Sequence, residues 1–270
     1  MTVTANAECA QAPSPHSAID GRRLVGYYGT PLGRGLGILG RENVTDTLKL
    51  LIDQLSAYEA LDPCVETVPV FHMVTTVADD WAGRDGDYSH RVPHDLVQAW
   101  IDKIRAAGGL AVLDIQPGQA DLDAELEHLE PLLLQPGVHL AVDPEFVMGE
   151  GQIPGKKLGH VDGQTVNEIQ SWLAGVAERA GEPKILVIHQ FDNRMVSAKE
   201  EIVDQERIRL VWDADGFGGQ WAKMADYHQY RDEGGFEYGA FKIFYNYDRP
   251  VLEPAQVLAL EPPPAYIIYQ

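Results

Sequence analysis

Basic residues are scarce. Lys and Arg total 21 against 41 Asp and Glu in 270 residues, a formal net charge of -20. So acidic a surface repels phosphate backbones and anionic headgroups, which argues against nucleic-acid and membrane-surface partners and leaves neutral or cationic ligands open. Cysteine is almost absent: Cys9 and Cys64 are the only two. No disulfide framework is expected from them, Cys64 reads as a small buried hydrophobe, and a reducing, cytoplasmic setting is favoured. No run approaches the roughly 20 apolar residues of a membrane span. The opening MTVTANAECAQAPSPHSAIDGRR has neither the basic start nor the apolar stretch of a secretory signal. Its Ala, Pro and Ser content predicts a flexible leader over residues 1–20, ahead of one folded domain over 21–270.

Sequence signatures of several chemistries are missing as well. The glycine-rich GTPLGRGLGILG (29–40) lacks both the G-x-G-x-x-G step of a dinucleotide turn and the Lys of a P-loop. It reads as a mobile loop. There is no H-x-H, H-E-x-x-H or C-x-x-C spacing to hold a metal and no G-x-S-x-G elbow for a serine nucleophile, so no metal or other cofactor is expected.

What is present is a regular alternation. Eight apolar, β-branched runs recur: LVGYY (24–28), TVPVFHMV (67–74), GLAVLDI (109–115), VHLAVD (138–143), KILVIHQ (184–190), RIRLVWD (207–213), AFKIFYNY (240–247) and AYIIYQ (265–270). Most are continuous rather than alternating, as in strands buried on both faces of a parallel sheet. Between them, apolar residues at helical spacing predict helices over 44–61, 94–107, 122–134, 165–181, 197–206, 220–233 and 253–260. Asn43 or Thr45 can cap the first, and Gly181 followed by Pro183 closes the fourth. Eight strands and seven helices predict an α/β (β/α)8 TIM-like barrel whose last strand meets the C-terminus without a final helix. An open doubly wound sheet is the alternative.

In a barrel the active site sits at the C-terminal ends of the strands, so the polar residues there are the candidates. They include Tyr28 on the first strand, His72 on the second, and Asp114 with Gln116 on the third. Asp143 and Glu145 follow the fourth, His189 and Gln190 the fifth, and Trp212, Asp213 and Asp215 the sixth; Lys242 and Tyr245 fall on the seventh. In extended chain, Asp143 and Glu145, two apart, point the same way. A carboxyl partly desolvated beside another carboxylate has the raised pKa of a general acid. Glu145 is therefore the candidate acid, with Asp143, Asp114 and Asp215 competing for the second carboxylate role. Tyr28, His72, Gln116, His189, Gln190, Trp212, Lys242 and Tyr245 are the candidate substrate contacts, since flat rings stack on sugar faces while amides and charges bind hydroxyls. A Schiff-base role for Lys242, or a metal held by His72, His189, Asp114 and Asp143, is a competing reading, as is a barrel that binds sugar without cutting it.

GYYGTPLGRGLGILG, LDIQPG, HLAVDPEF, ILVIHQF, DADGFG, FKIFY and the terminal YIIYQ resemble a group of actinobacterial barrel proteins counted among glycoside hydrolases, over nearly all of residues 24–270. The resemblance implies a hydrolase without a cofactor, acting on a neutral oligo- or polysaccharide, in particular an α-linked mannan that carries 3-O-methyl groups. The candidate residues rest on their place in the barrel, not on the resemblance.

Overall fold

A computed structural model describes residues 17–270. Strand and helix alternate from the first element: β1 (Arg23–Gly29), α1 (Val44–Leu61), β2 (Thr67–Ala78), α2 (His94–Ala106), β3 (Leu110–Ile115), α3 (Leu122–Leu133), β4 (Val138–Val142), α4 (Gly163–Ala180) and β5 (Lys184–Gln190). The chain then continues through β6 (Ile208–Ala214), α5 (Gln220–Arg231), β7 (Tyr238–Ile243), α6 (Pro254–Leu258) and β8 (Tyr266–Tyr269). All eight strands pair in parallel in the order β1-β8-β7-β6-β5-β4-β3-β2, and β2 pairs back onto β1, with Leu24 opposite both Val68 and Tyr266. That last pairing closes the sheet into a TIM-like barrel and excludes the open doubly wound alternative.

The elements form where the pattern places them because both faces of each strand are covered. Every residue of β1, β4, β5 and β8 is buried. Asn43 caps α1, its side chain accepting from the amides of Thr45 and Asp46, and Gly181 ends α4 in the left-handed conformation at φ 76°.

Three local expectations need correcting. The helix expected over 197–206 is a single 3-10 turn at Lys199–Glu201, so β5 reaches β6 without an α-helix. Lys199 fills part of that face: its ammonium lies 4.1 Å from the Trp212 ring centroid and 4.9 Å from that of Tyr230, and pairs with Glu233. The 29–40 segment is pinned rather than loose. Ile38 and Leu39 donate backbone hydrogen bonds to Tyr28 O at 2.8 and 3.2 Å, and a Cβ on Gly37 would lie 2.3 Å from that same oxygen. Cys64 is exposed and disulfide-bonded rather than a buried thiol, which removes the cysteine argument for a reducing compartment.

Of the leader expected over 1–20, residues 1–16 lie outside the described residues. Residues 17–20 pack against the domain, with Ile19 buried and Asp20 accepting from Tyr238 Oη at 2.6 Å and Arg209 Nε at 3.1 Å. Among the described residues no helix is long and apolar enough to cross a membrane.

Trp212 is 2% exposed, and its indole N–H donates to Gly235 O at 2.8 Å. Trp212→Ala is expected to lower the unfolding free energy by about 3–5 kcal/mol, the range for emptying a large aromatic site. Urea titration followed by circular dichroism checks this.

Candidate active site

Strand alternation sends every second side chain into the barrel. On this chain that parity delivers charge. Tyr28 (β1), His72 (β2), Asp114 (β3), His189 (β5), Asp213 (β6) and Lys242 (β7) are all buried and in contact with one another near the C-terminal ends of their strands. Gly26 makes room: a Cβ there would lie 2.8 Å from the hydroxyl of Tyr266, which itself stands 3.1 Å from His72 Nδ1.

Asp114 is the hub. Its Oδ2 accepts from Tyr28 Oη at 2.9 Å and lies 3.4 Å from His189 Nε2 and 3.7 Å from His72 Nε2. The other nitrogen of His189 is 2.9 Å from Asp213 Oδ2 and 3.2 Å from Asp215 Oδ2. Lys242 closes the ring, with its ammonium 3.0 and 3.1 Å from the two oxygens of Asp215 and 3.6 Å from the Tyr28 ring centroid. Lys223, from α5, donates to the Lys242 backbone carbonyl at 2.8 Å and stands 3.2 Å from Asp248 Oδ2. Asp248 in turn accepts from the amides of Gly218 and Phe244, which ties two loops of the mouth together.

Above this cluster the mouth holds a cavity of about 370 Å³. Its polar lining is Tyr28, Gln116, Asp143, Glu145, Asp215, Asp226, Lys242 and Gln270, and Phe146, Phe191, Phe217, Phe244 and Leu36 supply the apolar walls. Gln116 bridges floor and wall, its amide donating to Tyr28 Oη at 3.2 Å and to Asp143 Oδ2 at 3.4 Å. Asp143 and Glu145 both reach the cavity, though not along an extended strand. β4 ends at Val142, and Pro144–Phe146 form a 3-10 turn that Asp143 caps by accepting from the Glu145 amide at 3.1 Å.

The carboxyls of this site differ in proton affinity for identifiable reasons. Burial drives Asp143 well above the usual carboxylate range, with the charges of Asp114, Asp215 and Glu145 adding to it against His189. Burial would raise Asp114 too, but His189 and His72 hold it well below its ordinary value. Asp215 is likewise held low despite burial, chiefly by Lys242 and then by His189. Burial, reinforced by the Asp215 charge and partly offset by Lys242 and His189, lifts Glu145 to about 6. For the bases, burial opposes the charged form, yet Asp114 keeps His189 well above the histidine range and Asp215 keeps Lys242 above that of lysine. Burial keeps His72 low and therefore neutral. A lysine pKa raised in this way works against Schiff-base attack, which needs the free amine.

The candidates therefore separate. Glu145, Asp143, Asp215, Tyr28, Gln116 and Lys242 line the cavity, whereas Asp114, His72 and His189 lie beneath its floor and do not reach it. Three expected contacts are elsewhere. Gln190 follows the inward His189 and so faces out of the barrel, towards Asn193 and Lys199, and Trp212 precedes the inward Asp213 and packs on the outer side against Lys199. Tyr245 lies two residues past the end of β7, stacked on Tyr269 at 5.2 Å with its hydroxyl donating to Gln54. Phe146, Phe191 and Phe244 were not singled out from sequence, although each directly follows or nearly follows a strand whose polar end residue was.

Neither a family model nor a curated protein matches the chain. Among solved structures it is similar to tryptophan synthase from M. tuberculosis in a ligand-free form, at 15% identity and a TM-score of 0.39 over 93% of this chain and 84% of that one. The aminoacrylate-bound form gives 15% and 0.40 over 92% and 82%. A family GH13_31 enzyme gives 8% and 0.31 over 84% of this chain and 59% of that one. At these distances none of them bears on activity.

Removing the countercharge of Asp215 tests the electrostatic description. Lys242→Met is expected to cost about 3–5 kcal/mol, because it removes the nearer of the two cations that face a buried carboxylate. Adding Asp215→Asn should recover much of that loss in urea unfolding, and an equal cost in the double variant would contradict the pairing.

Proposed function

We propose that the chain is a glycoside hydrolase that cuts a neutral, α-linked polysaccharide of mannan type by carboxylate acid–base chemistry. The observation that carries this reading is that one cavity holds Glu145, with its proton affinity lifted to about 6, together with Asp215, kept ionised by Lys242. Glycosidic cleavage needs that pair: one carboxyl to protonate the departing oxygen and one carboxylate to meet the anomeric centre.

In this reading Glu145 donates its proton to the glycosidic oxygen as the bond to the anomeric carbon breaks. Asp215, in the same cavity, stabilises the cationic ring that forms and either attacks the anomeric carbon or takes a proton from the attacking water. Asp143 and the Gln116 amide bind sugar hydroxyls, and Tyr28 with Lys242 fixes the floor of the cavity. The phenylalanine walls and Leu36 suit the apolar face of a sugar ring and the methyl ethers of a 3-O-methylated mannose polymer. An acidic protein surface is compatible with a neutral substrate.

Digestion of a panel of neutral oligosaccharides, with α-mannans and methylmannose polysaccharide included, tests the reading by mass spectrometry of the fragments. Wild type is expected to shorten at least one α-mannan. Glu145→Gln and Asp215→Asn should each lower kcat by about 10²–10⁴-fold, the usual contribution of such groups. Undiminished turnover by Glu145→Gln, or binding of every substrate without cleavage, would overturn it. The pH profile supplies a second outcome. The acid works in its protonated form, so kcat/KM should fall as pH rises through about 6, and a profile flat from pH 5 to pH 8 would contradict the assignment.

A further inference from the structure

The cluster beneath the cavity floor contains an arrangement that glycosidic chemistry does not call for. His72 Nε2 and His189 Nε2 are both directed at Asp114 Oδ2, at 3.7 and 3.4 Å, and all three side chains are fully buried. Neither Nε2 has a hydrogen-bond partner in the protein, and neither does Asp114 Oδ1. Buried polar atoms left without partners are uncommon, and several at one point call for a ligand.

On the opposite edges, His72 Nδ1 is hydrogen-bonded to Tyr266 Oη at 3.1 Å, and His189 Nδ1 lies at ion-pair distance from Asp213 Oδ2 (2.9 Å) and Asp215 Oδ2 (3.2 Å) without forming a hydrogen bond to either. Imidazoles whose Nδ1 is oriented by a carboxylate or hydroxyl while Nε2 points at a shared position are the usual preparation of a metal-binding histidine. The spacing agrees. Ligands at about 2.0–2.2 Å from a tetrahedral ion lie about 3.3–3.6 Å from one another, close to the 3.4 and 3.7 Å found here.

We propose that His72 Nε2, His189 Nε2 and Asp114 Oδ2 bind a divalent first-row transition ion of the zinc type at the centre of the barrel. Two imidazole nitrogens and one carboxylate oxygen are a donor set for borderline ions rather than for calcium or magnesium. The Tyr28 hydroxyl, 2.9 Å from the same Asp114 oxygen, stands between this position and the cavity. The ion is therefore placed under the floor, in a role of holding the cluster together rather than touching substrate. It takes the place of the proton on His189 Nε2 and supplies positive charge where Asp114, Asp213 and Asp215 converge. This inference is independent of the glycosidase reading, since either can fail without the other.

The test uses the full chain, purified without a metal-affinity step, equilibrated with zinc and desalted. Plasma mass spectrometry is expected to find about one zinc per chain, and the melting temperature should rise by several degrees over chelator-treated protein. Both effects should disappear in His72→Gln and in Asp114→Asn. His94 and His128, whose rings are 4.2 Å apart outside the barrel centre, are a second place where zinc could lodge, so His94→Gln is the control and should keep both effects. No retained zinc and no thermal shift in wild type would overturn the proposal, as would full retention in His72→Gln or loss confined to His94→Gln. Because substitutions at the barrel centre can prevent folding, cobalt-loaded wild type gives a readout that needs no variant. Visible d–d absorption from cobalt bound by these nitrogen and oxygen ligands supports the site, and its absence contradicts it.

Discussion

Carboxylates carried into the centre of a barrel require positive charge within contact distance, and the mouth of this one is arranged around that requirement. Asp114, Asp213 and Asp215 all reach His189, and Lys242 takes up the far side of Asp215. Two carboxylates sit low because cations face them, while Asp143, with less cationic company, sits high. Glu145, at the rim, feels the resulting negative charge of Asp215 and partial burial at once. Its affinity near neutrality is thus a consequence first of burial and then of the Asp215 charge, partly offset by Lys242 and His189.

The barrel provides this arrangement by parity and by length. Side chains alternate in and out of each strand, so a residue placed one position away would lie outside, as Gln190 and Trp212 do beside the inward His189 and Asp213. Strand ends decide the rest. β4 stops at Val142, early enough for Asp143 to cap a tight turn and for Glu145 to swing over the cavity. β7 stops at Ile243, which leaves Phe244 in the cavity wall and sends Tyr245 away to Tyr269 and Gln54. Lys223 and Asp248 then fix the mouth from the β6 and β7 side.

Much of the fold was legible because the strands are apolar on both faces and the helices are capped by residues of the expected kind, such as Asn43 and Gly181. The segment 197–206 misled because its charges have helical spacing, whereas Lys199 is drawn inward by Trp212, Tyr230 and Glu233, and no apolar stripe holds a helix down. Of the site, the strand-end rule found the carboxylates but not their division between cavity and floor. That division depends on how deep each strand sits in the barrel, which a linear pattern does not record. Parity, however, was available in the sequence. Counting alternate positions from His189 and Asp213 would have set Gln190 and Trp212 aside.

The central claim is that partial burial, reinforced by the charge of Asp215, lifts the proton affinity of Glu145. The most direct measurement is a ¹³C NMR titration of the Glu145 side-chain carboxyl, assigned by its loss in Glu145→Gln. The account predicts a midpoint at about 6. A midpoint at the ordinary glutamate value, about 4.3, would contradict it and would remove the acid on which the proposed chemistry rests.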